Sequence, residues 1–165
     1  MTLKLRIAKK SDIPGIVNVM DKVGYTKFRF KKMSLNKVQA TLQIEFSNRT
    51  FLVCVDNKNI IGYAIFGPAE AFLNPPFEIK KKNFAYHLGI GIDPDYQRKG
   101  IGLLLTEFME KVIHAEKYKG IYSDVSSNNT ISLKLQKKMG FVEIKRYSDS
   151  KRTKGTRNVL FKKEF

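Results

Sequence analysis

Cysteine, acidic residues and long apolar runs are all scarce in this chain, and each shortage excludes something. Cys54 is the one cysteine, set in the apolar run Phe51-Leu-Val-Cys-Val. No disulfide can close within the chain, so a reducing intracellular compartment is the expectation. Cys54 reads as a small buried hydrophobe rather than a nucleophile. No apolar stretch approaches the ~20 residues that cross a bilayer, and the opening MTLKLRIAKK lacks an apolar leader core. A soluble, cytoplasmic protein with no membrane partner is expected. Internal repeats, low-complexity linkers and breaks in composition are also missing. With 165 residues, 42% of them hydrophobic, a single domain over residues 1–165 is expected.

The shortage of acid leaves 15 Asp+Glu against 31 Lys+Arg, a formal net charge of +16. Such a surplus suits a polyanion: nucleic acid, ribosome or an anionic surface. The bases are scattered, though, with local concentrations at Lys27–Lys32, Lys80–Lys82 and Lys145–Lys163. That scatter favours a lysine-rich composition over a dedicated partner. Nucleic acid stays open as a partner without being favoured.

What is present centres on Tyr86–Leu105, YHLGIGIDPDYQRKGIGLLL. Leu88, Ile90 and Ile92 alternate with His87, Gly89 and Gly91, which predicts a strand. Asp93-Pro94-Asp95 stops it, because proline brings no N–H to a ladder. Gln97-Arg98-Lys99-Gly100-Ile101-Gly102 follows and leads into the helical spacing of Ile101, Leu104, Leu105, Phe108 and Val112. Neither GxGxxG nor GxxxxGK[ST] occurs in this segment. Even so, glycines at a helix start leave backbone N–H groups pointing outward at the positive end of the dipole, where a ligand can come close. The physical reading is a pyrophosphate cradle. An ordinary strand–turn–helix is the alternative on local physics.

Taken in order, Leu3–Ala8 alternates as a first strand, and Ser11-Asp12 supplies an N-cap for a helix over Ile13, Ile16, Val17, Met20 and Val23, ending at Gly24. Tyr25–Met33 mixes aromatics with bases, as a base-stacking surface or a loop would. A second helix starts at Ser34. Thr50–Val55 and Ile60–Phe66 form a hairpin around Asp56–Asn59. Gly67–Asn83 has no clear periodicity and reads as a long loop, of a length that is functional or disordered. After the central stretch, whose helix runs to about Lys117, come a strand at Gly120–Val125, a helix from Asn129 closed by Gly140, and strands at Phe141–Tyr147 and Arg157–Phe165. A basic connection with Gly155 joins those last two.

Gln97-x-x-Gly100-x-Gly102 after a strand ending in Asp-Pro resembles the [Q/R]-x-x-G-x-[G/A] acetyl-CoA signature of the GNAT superfamily of N-acetyltransferases. Asn129–Phe141, ending in Gly140-Phe141, sits where that family keeps its N-x-x-A…Y-x-x-x-G-F helix. The order β-α-α-β-β-β-α-β-α-β-β agrees with the family across nearly the whole chain. The resemblance implies an α/β (α+β) GNAT fold: a single mixed, mostly antiparallel sheet of about seven strands with about four helices. It also implies a splayed, V-shaped cofactor cleft where the strand ending at Asp93 leaves Ile121–Val125.

The implied activity moves an acetyl group from acetyl-CoA (coenzyme A) to a primary amine by direct attack on the thioester. The acceptor is then a small-molecule or protein amine, and no metal is called for. Backbone at Ile90, Gly91 and Ile92 would bond the pantetheine, with the Ile90 N–H facing the thioester oxygen, a donor worth ~3 kcal/mol. Gln97 and the N–H groups of Arg98, Lys99, Gly100, Ile101, Gly102 and Leu103 would hold the pyrophosphate. The Arg98 and Lys99 charges either assist or stay solvated. Asn129 and Ser132 would meet the cofactor arm. Phe72, Phe77 and Tyr86 are candidate acceptor contacts, as are Glu70 and Glu78.

Two departures from the family pattern matter. Gln136 stands where many relatives carry a tyrosine that protonates the departing thiolate, and a glutamine is no acid. A thiol of pKa ~8.5 still leaves as thiolate at ~2 kcal/mol disadvantage near pH 7. Solvent, Tyr147, Tyr122 or Ser132 would then protonate it, while Gln136 donates a hydrogen bond to sulfur. Tyr86 stands where some relatives place a glutamate base. An alkyl amine of pKa ~10.4 is neutral at pH 7 only at a cost of ~4.6 kcal/mol, and a tyrosine can at best anchor a water there. His87 falls on the opposite strand face and reads as structural; His114 has no expected role. These departures motivate a second function: a catalytically weak module that binds acyl-CoA, or RNA or ribosome. A homodimer stays open.

Overall fold

The computed structural model describes residues 2–148 and 157–165, so Met1 and the basic connection with Gly155 lie outside the described residues. Its elements are β1 (Leu3–Ile7), α1 (Ile13–Lys22), α2 (Tyr25–Arg29), α3 (Leu35–Glu45), β2 (Thr50–Asp56), β3 (Asn59–Pro68), α4 (Ala69–Phe72), β4 (Ala85–Ile92), α5 (Ile101–Ala115), β5 (Gly120–Ser126), α6 (Thr130–Lys138), β6 (Val142–Ser148) and β7 (Arg157–Glu164). The strands form one seven-stranded mixed sheet in the order β1-β2-β3-β4-β5-β7-β6. β4 and β5 run parallel, while β1/β2, β2/β3, β5/β7 and β6/β7 are antiparallel. This is the expected fold class. Among the described residues no helix is long and apolar enough to cross a membrane.

The chain packs as two compact units: residues up to Phe66 with Gly89–Met109, and Gly67–Leu88 with the residues from Glu110 onward. In the first, the β2–β3 hairpin turns at Asn57, whose φ of 56° is a backbone state asparagine tolerates. A bulge between Cys54 and Val55 accommodates it. Leu52, Val53, Cys54, Ile61 and Ile65 are fully buried, and α1 lays Ile13, Ile16, Val17, Val19 and Met20 on the core. Burial pushes the Cys54 thiol up, away from the reactive thiolate.

Two local expectations are corrected here. Asp12 does not cap α1 with its side chain: its carboxylate takes the Arg6 guanidinium at 2.6 and 2.9 Å and the Lys9 N–H at 2.6 Å. A guanidinium fork outcompetes a helix N–H for that carboxylate. Tyr25–Met33 is not all loop. Gly24, at φ 74°, ends α1, and the chain turns straight into α2, too short to show a period.

In the second unit, β5, β7 and β6 carry the closing strands where they are expected. β3 runs on to Pro68 and α4 follows at once, so the irregular connection to β4 is shorter than Gly67–Asn83. α5 stops at Ala115 because Lys117 turns to φ 63°. Gly140, at φ 78°, closes α6 as its sequence position suggests.

Candidate active site

The end of β4 is built by four polar ties. Asp93 donates its N–H to the Ile61 carbonyl at 2.8 Å, the last strand-like bond. Its buried carboxylate accepts the Asp95 N–H at 3.2 Å and the Lys22 ammonium at 2.7 Å. A 3₁₀ turn over Pro94–Tyr96 follows, and Gln97 Nε2 reaches back to the Ile92 carbonyl at 3.0 Å. Gln97 thereby spends a donor on fixing the turn against the strand.

The turn itself contains two left-handed residues, Arg98 at φ 59° and Gly100 at φ 80°. Alternation of this kind makes a concave nest of backbone N–H groups. The first N–H with a helical acceptor is that of Leu104, which donates to the Gly100 carbonyl at 3.1 Å. Those of Ile101, Gly102 and Leu103 precede it and find no intrahelical partner. Ile101 and Leu105 anchor the helix in the core. A Cβ at Gly100 would meet nothing within 4 Å, and one at Gly102 only Ile92 Cγ1 at 4.0 Å. Packing therefore leaves the space beside these two glycines open. Lys99 is committed elsewhere, its ammonium on the Asp95 carbonyl at 2.9 Å and above the Tyr96 ring.

Upstream on β4, Gly91 is dictated by contact: a Cβ there would lie 2.5 Å from Cε1 of the fully buried Tyr63. At Gly89 the Tyr25 hydroxyl would be 3.3 Å away. Ile90 and Ile92, which flank Gly91, are half-buried.

In the second unit β4 pairs with β5 through the rungs Ala85↔Ile121, Tyr86↔Tyr122 and His87↔Ser123. Tyr86 is buried in an aromatic cluster with Phe84, Tyr122, Tyr147 and Leu160, against which Phe72 and Phe77 pack. The sequence-predicted acceptor contacts Phe72, Phe77 and Tyr86 are thus brought together, whereas Glu70 and Glu78 stay exposed. Phe77 meets Tyr147 edge-on at 5.2 Å. The Tyr147 hydroxyl donates a hydrogen bond to the Asp124 carboxylate. Tyr122 donates instead to the Lys80 carbonyl at 2.9 Å, and burial pushes its phenol up. His87 is buried with Nδ1 3.5 Å from Ser123 Oγ, and His114 stands edge-on to Phe165.

On α6, Asn129 Oδ1 accepts the Ser132 N–H at 3.1 Å and caps the helix, which leaves its amide NH₂ for a ligand. Gln136 is 3% exposed, and its Oε1 has no hydrogen-bond partner among the described residues. A buried amide oxygen left unpaired costs about 1–3 kcal/mol.

Residues 24–141 match the model of the acetyltransferase (GNAT) family. The chain belongs to that family. Solved structures similar to it include an N-acetyltransferase from Staphylococcus aureus Mu50 (TM-score 0.80, 19% identity, 99% of each chain covered). The ribosomal-protein-alanine N-acetyltransferase from Brucella melitensis matches at TM-score 0.77 and 17% identity, over 98% of this chain and 99% of that one. The PaiA N-acetyltransferase from Thermoplasma acidophilum, solved with coenzyme A, matches at TM-score 0.68 and 16% identity over 100% of both. At these identities the likeness is one of fold. No curated protein sequence matches the chain. GNAT acetyltransferases act on small-molecule or protein amines, so the GNAT frame sets the class of chemistry and leaves the acceptor to local residues. Asp124, the partner of the Tyr147 hydroxyl, is the polar residue of this cluster that sequence reasoning did not single out. A lone acid in the run Gly120-Ile-Tyr-Ser-Asp-Val carries no motif, and only the fold sets Tyr147 against it.

Proposed function

We propose that this GNAT protein transfers the acetyl group of acetyl-CoA to a primary amine. The observation that carries the reading is the nest at Arg98–Leu103, whose first helical amides precede the intrahelical ladder and whose two glycines are open-sided. Gln97, Arg98, Lys99, Gly100, Ile101, Gly102 and Leu103 form the pyrophosphate cradle. Gln97 and Lys99 shape it through Ile92 and Asp95 rather than by direct charge. Backbone of Ile90, Gly91 and Ile92 takes the pantetheine, and the Asn129 amide with Ser132 meets the cofactor arm.

The neutral amine attacks the thioester carbon. The C–N bond forms, the C–S bond breaks, the electron pair leaves on sulfur, and nitrogen loses a proton. The Ile90 N–H stabilises the developing oxyanion, a contribution of about 3 kcal/mol. Tyr147, its hydroxyl already donating to Asp124, accepts the amine proton and passes its own to the carboxylate. Gln136 donates its amide N–H to the leaving sulfur, and solvent protonates the thiolate. Phe72, Phe77 and Tyr86 wall the acceptor.

The test is release of free thiol from acetyl-CoA across a panel of amines. Amine-dependent release supports the reading. Tight acetyl-CoA binding with no release from any amine would instead identify a catalytically weak acyl-CoA-binding module.

A further inference from the structure

A basic cavity of about 540 Å³ lies in the second unit, and acetyl transfer as described uses none of its charged side chains. Lys80–Lys82, Lys119 and Lys162 line it, with Glu164 as the one acidic side chain among the described residues. Three stretches of chain meet there: the approach to β4, the approach to β5 and the end of β7. Lys119 donates its N–H to the Asn83 carbonyl at 2.8 Å, and Phe165 donates to the Lys119 carbonyl at 3.0 Å. The Phe84 N–H reaches the Lys81 carbonyl at 3.1 Å, and the Tyr122 hydroxyl donates to the Lys80 carbonyl at 2.9 Å. The fold itself therefore holds the backbone beneath these lysines.

The charge gathered there is one-sided. Five ammonium groups share the lining with a single carboxylate side chain, that of Glu164, which is exposed and bonds the Lys162 ammonium. Lys162 also stands over the Phe84 ring at 4.7 Å, and Lys81 Nζ donates to the Leu73 carbonyl at 3.1 Å. Neither of those partners carries a charge. Lys80, Lys82 and Lys119 are exposed, so a ligand can reach them. Lys163, next along β7, shows the contrast: its ammonium bonds both oxygens of Glu110, at 2.9 and 2.7 Å. Gathering like charges without such partners raises the energy of the free protein, and an anion in the cavity relieves it.

We propose that this cavity binds a small anion carrying two or more phosphoryl groups. One phosphoryl group brings a charge of only about −1.5 to −2, which leaves most of the five lysines unmatched, whereas two or more come close to balancing them. The lining holds lysine and, among the described residues, no arginine. An ammonium is a point charge with rotatable donors, suited to tetrahedral phosphoryl oxygens more than to a planar carboxylate. The volume falls in the range of small-ligand sites, about 300–1,000 Å³, whereas a nucleic-acid strand needs a charged groove that tracks its backbone. A free phosphate chain and a nucleotide share this chemistry. The half-exposed ring of Phe165, also in the lining, offers an aromatic surface to the nucleotide alone.

The experiment titrates tripolyphosphate, ATP and orthophosphate calorimetrically into the full chain in the presence of excess coenzyme A. Tripolyphosphate and ATP are expected to bind, and orthophosphate to bind at least about tenfold more weakly. Lys80→Gln/Lys119→Gln should weaken both at least about tenfold, because the ties named above run through main-chain atoms and survive the substitution. Should that variant fail to fold, Lys82→Gln serves, with a loss in the same direction. Lys31→Gln/Lys37→Gln removes the same charge from exposed positions of the first unit and should leave binding unchanged. ATP binding more tightly than tripolyphosphate assigns a nucleotide, and equal binding assigns the phosphate chain; either supports the site. No binding by the wild type, no loss in Lys80→Gln/Lys119→Gln, equal loss in the two double variants, or orthophosphate as tight as tripolyphosphate overturns the proposal. A single-stranded RNA that binds through Lys80 and Lys119 while tripolyphosphate does not would mark a nucleic-acid surface, and overturns it as well.

Discussion

Gly100 and Gly102 lie in the same turn with equally open surroundings, yet alanine should act on them in opposite directions. At Gly100 a Cβ meets no atom within 4 Å, but the residue sits at φ 80°. An L side chain in that state costs about 1–2 kcal/mol, offset by about 0.4–1 kcal/mol from the stiffer unfolded chain. The net loss for Gly100→Ala is then about 1 kcal/mol. Gly102 lies in the first turn of α5, and its Cβ would meet only Ile92 Cγ1 at 4.0 Å. There glycine itself is the unfavourable residue, so Gly102→Ala should gain up to about 0.5–1 kcal/mol. For a chain of this size each kcal/mol moves Tm by about 2–4 °C, so the two variants should melt on opposite sides of the wild type. Thermal unfolding followed by circular dichroism reads this directly. If both variants melt below the wild type, a side chain at 102 meets something, and the open cradle is refuted. If Gly100→Ala melts above it, the turn is not left-handed there.

Gly91→Ala should be far less tolerated than either, losing at least about 1–3 kcal/mol in urea unfolding, because Tyr63 is fully buried and cannot retreat from a Cβ 2.5 Å away. Wild-type stability in that variant would show that the ring moves freely. Gln136→Met removes an unpaired buried oxygen and should raise stability by about 1 kcal/mol; a lower Tm would mean that the amide has a partner in the folded chain. The hydrogen bond from Arg6 holds the Asp12 carboxyl below its usual range. Its stabilisation is therefore present in full above the unfolded carboxylate pKa near ~3.9 and lost as pH falls through the lower folded value. Arg6→Gln should cost about 1–2 kcal/mol at pH 7, with the gap from the wild type closing below pH ~4; a gap that persists in acid would contradict this.

The order of strands and longer helices was legible because each carries its own period or its own stop. Pro94 ended β4, Gly24 ended α1 and Gly140 ended α6. The turn into α5 was legible for the same reason, since a glycine-bearing helix start has a local sequence signature. What could not be read depends on partners remote in sequence. Asp12 looked like a cap because Arg6 is visible as its competitor only once β1 and the turn after it are placed. Gln97 reads in sequence as a ligand residue alone, and its tie to the Ile92 carbonyl is visible only in the fold. The Tyr147–Asp124 pair joins different strands, and Glu45 ties Arg29 to Arg49 across α2, α3 and the approach to β2. Each isolated residue reads as an ordinary surface charge or core aromatic. The short α2 and α4 show no period because a single turn has none to show.

The most direct test of the account is calorimetric titration of acetyl-CoA into the wild type and Gly102→Glu. A carboxylate in the first turn of α5 favours the helix electrostatically, so the variant should fold. Its side chain would fill the cradle and repel the pyrophosphate. Micromolar binding by the wild type, weakened at least about 100-fold in a folded variant, is the predicted result; that ratio is about 2.7 kcal/mol. No binding by the folded wild type, or equal binding by both proteins, would contradict the assignment of Gln97–Leu103 as the acetyl-CoA site.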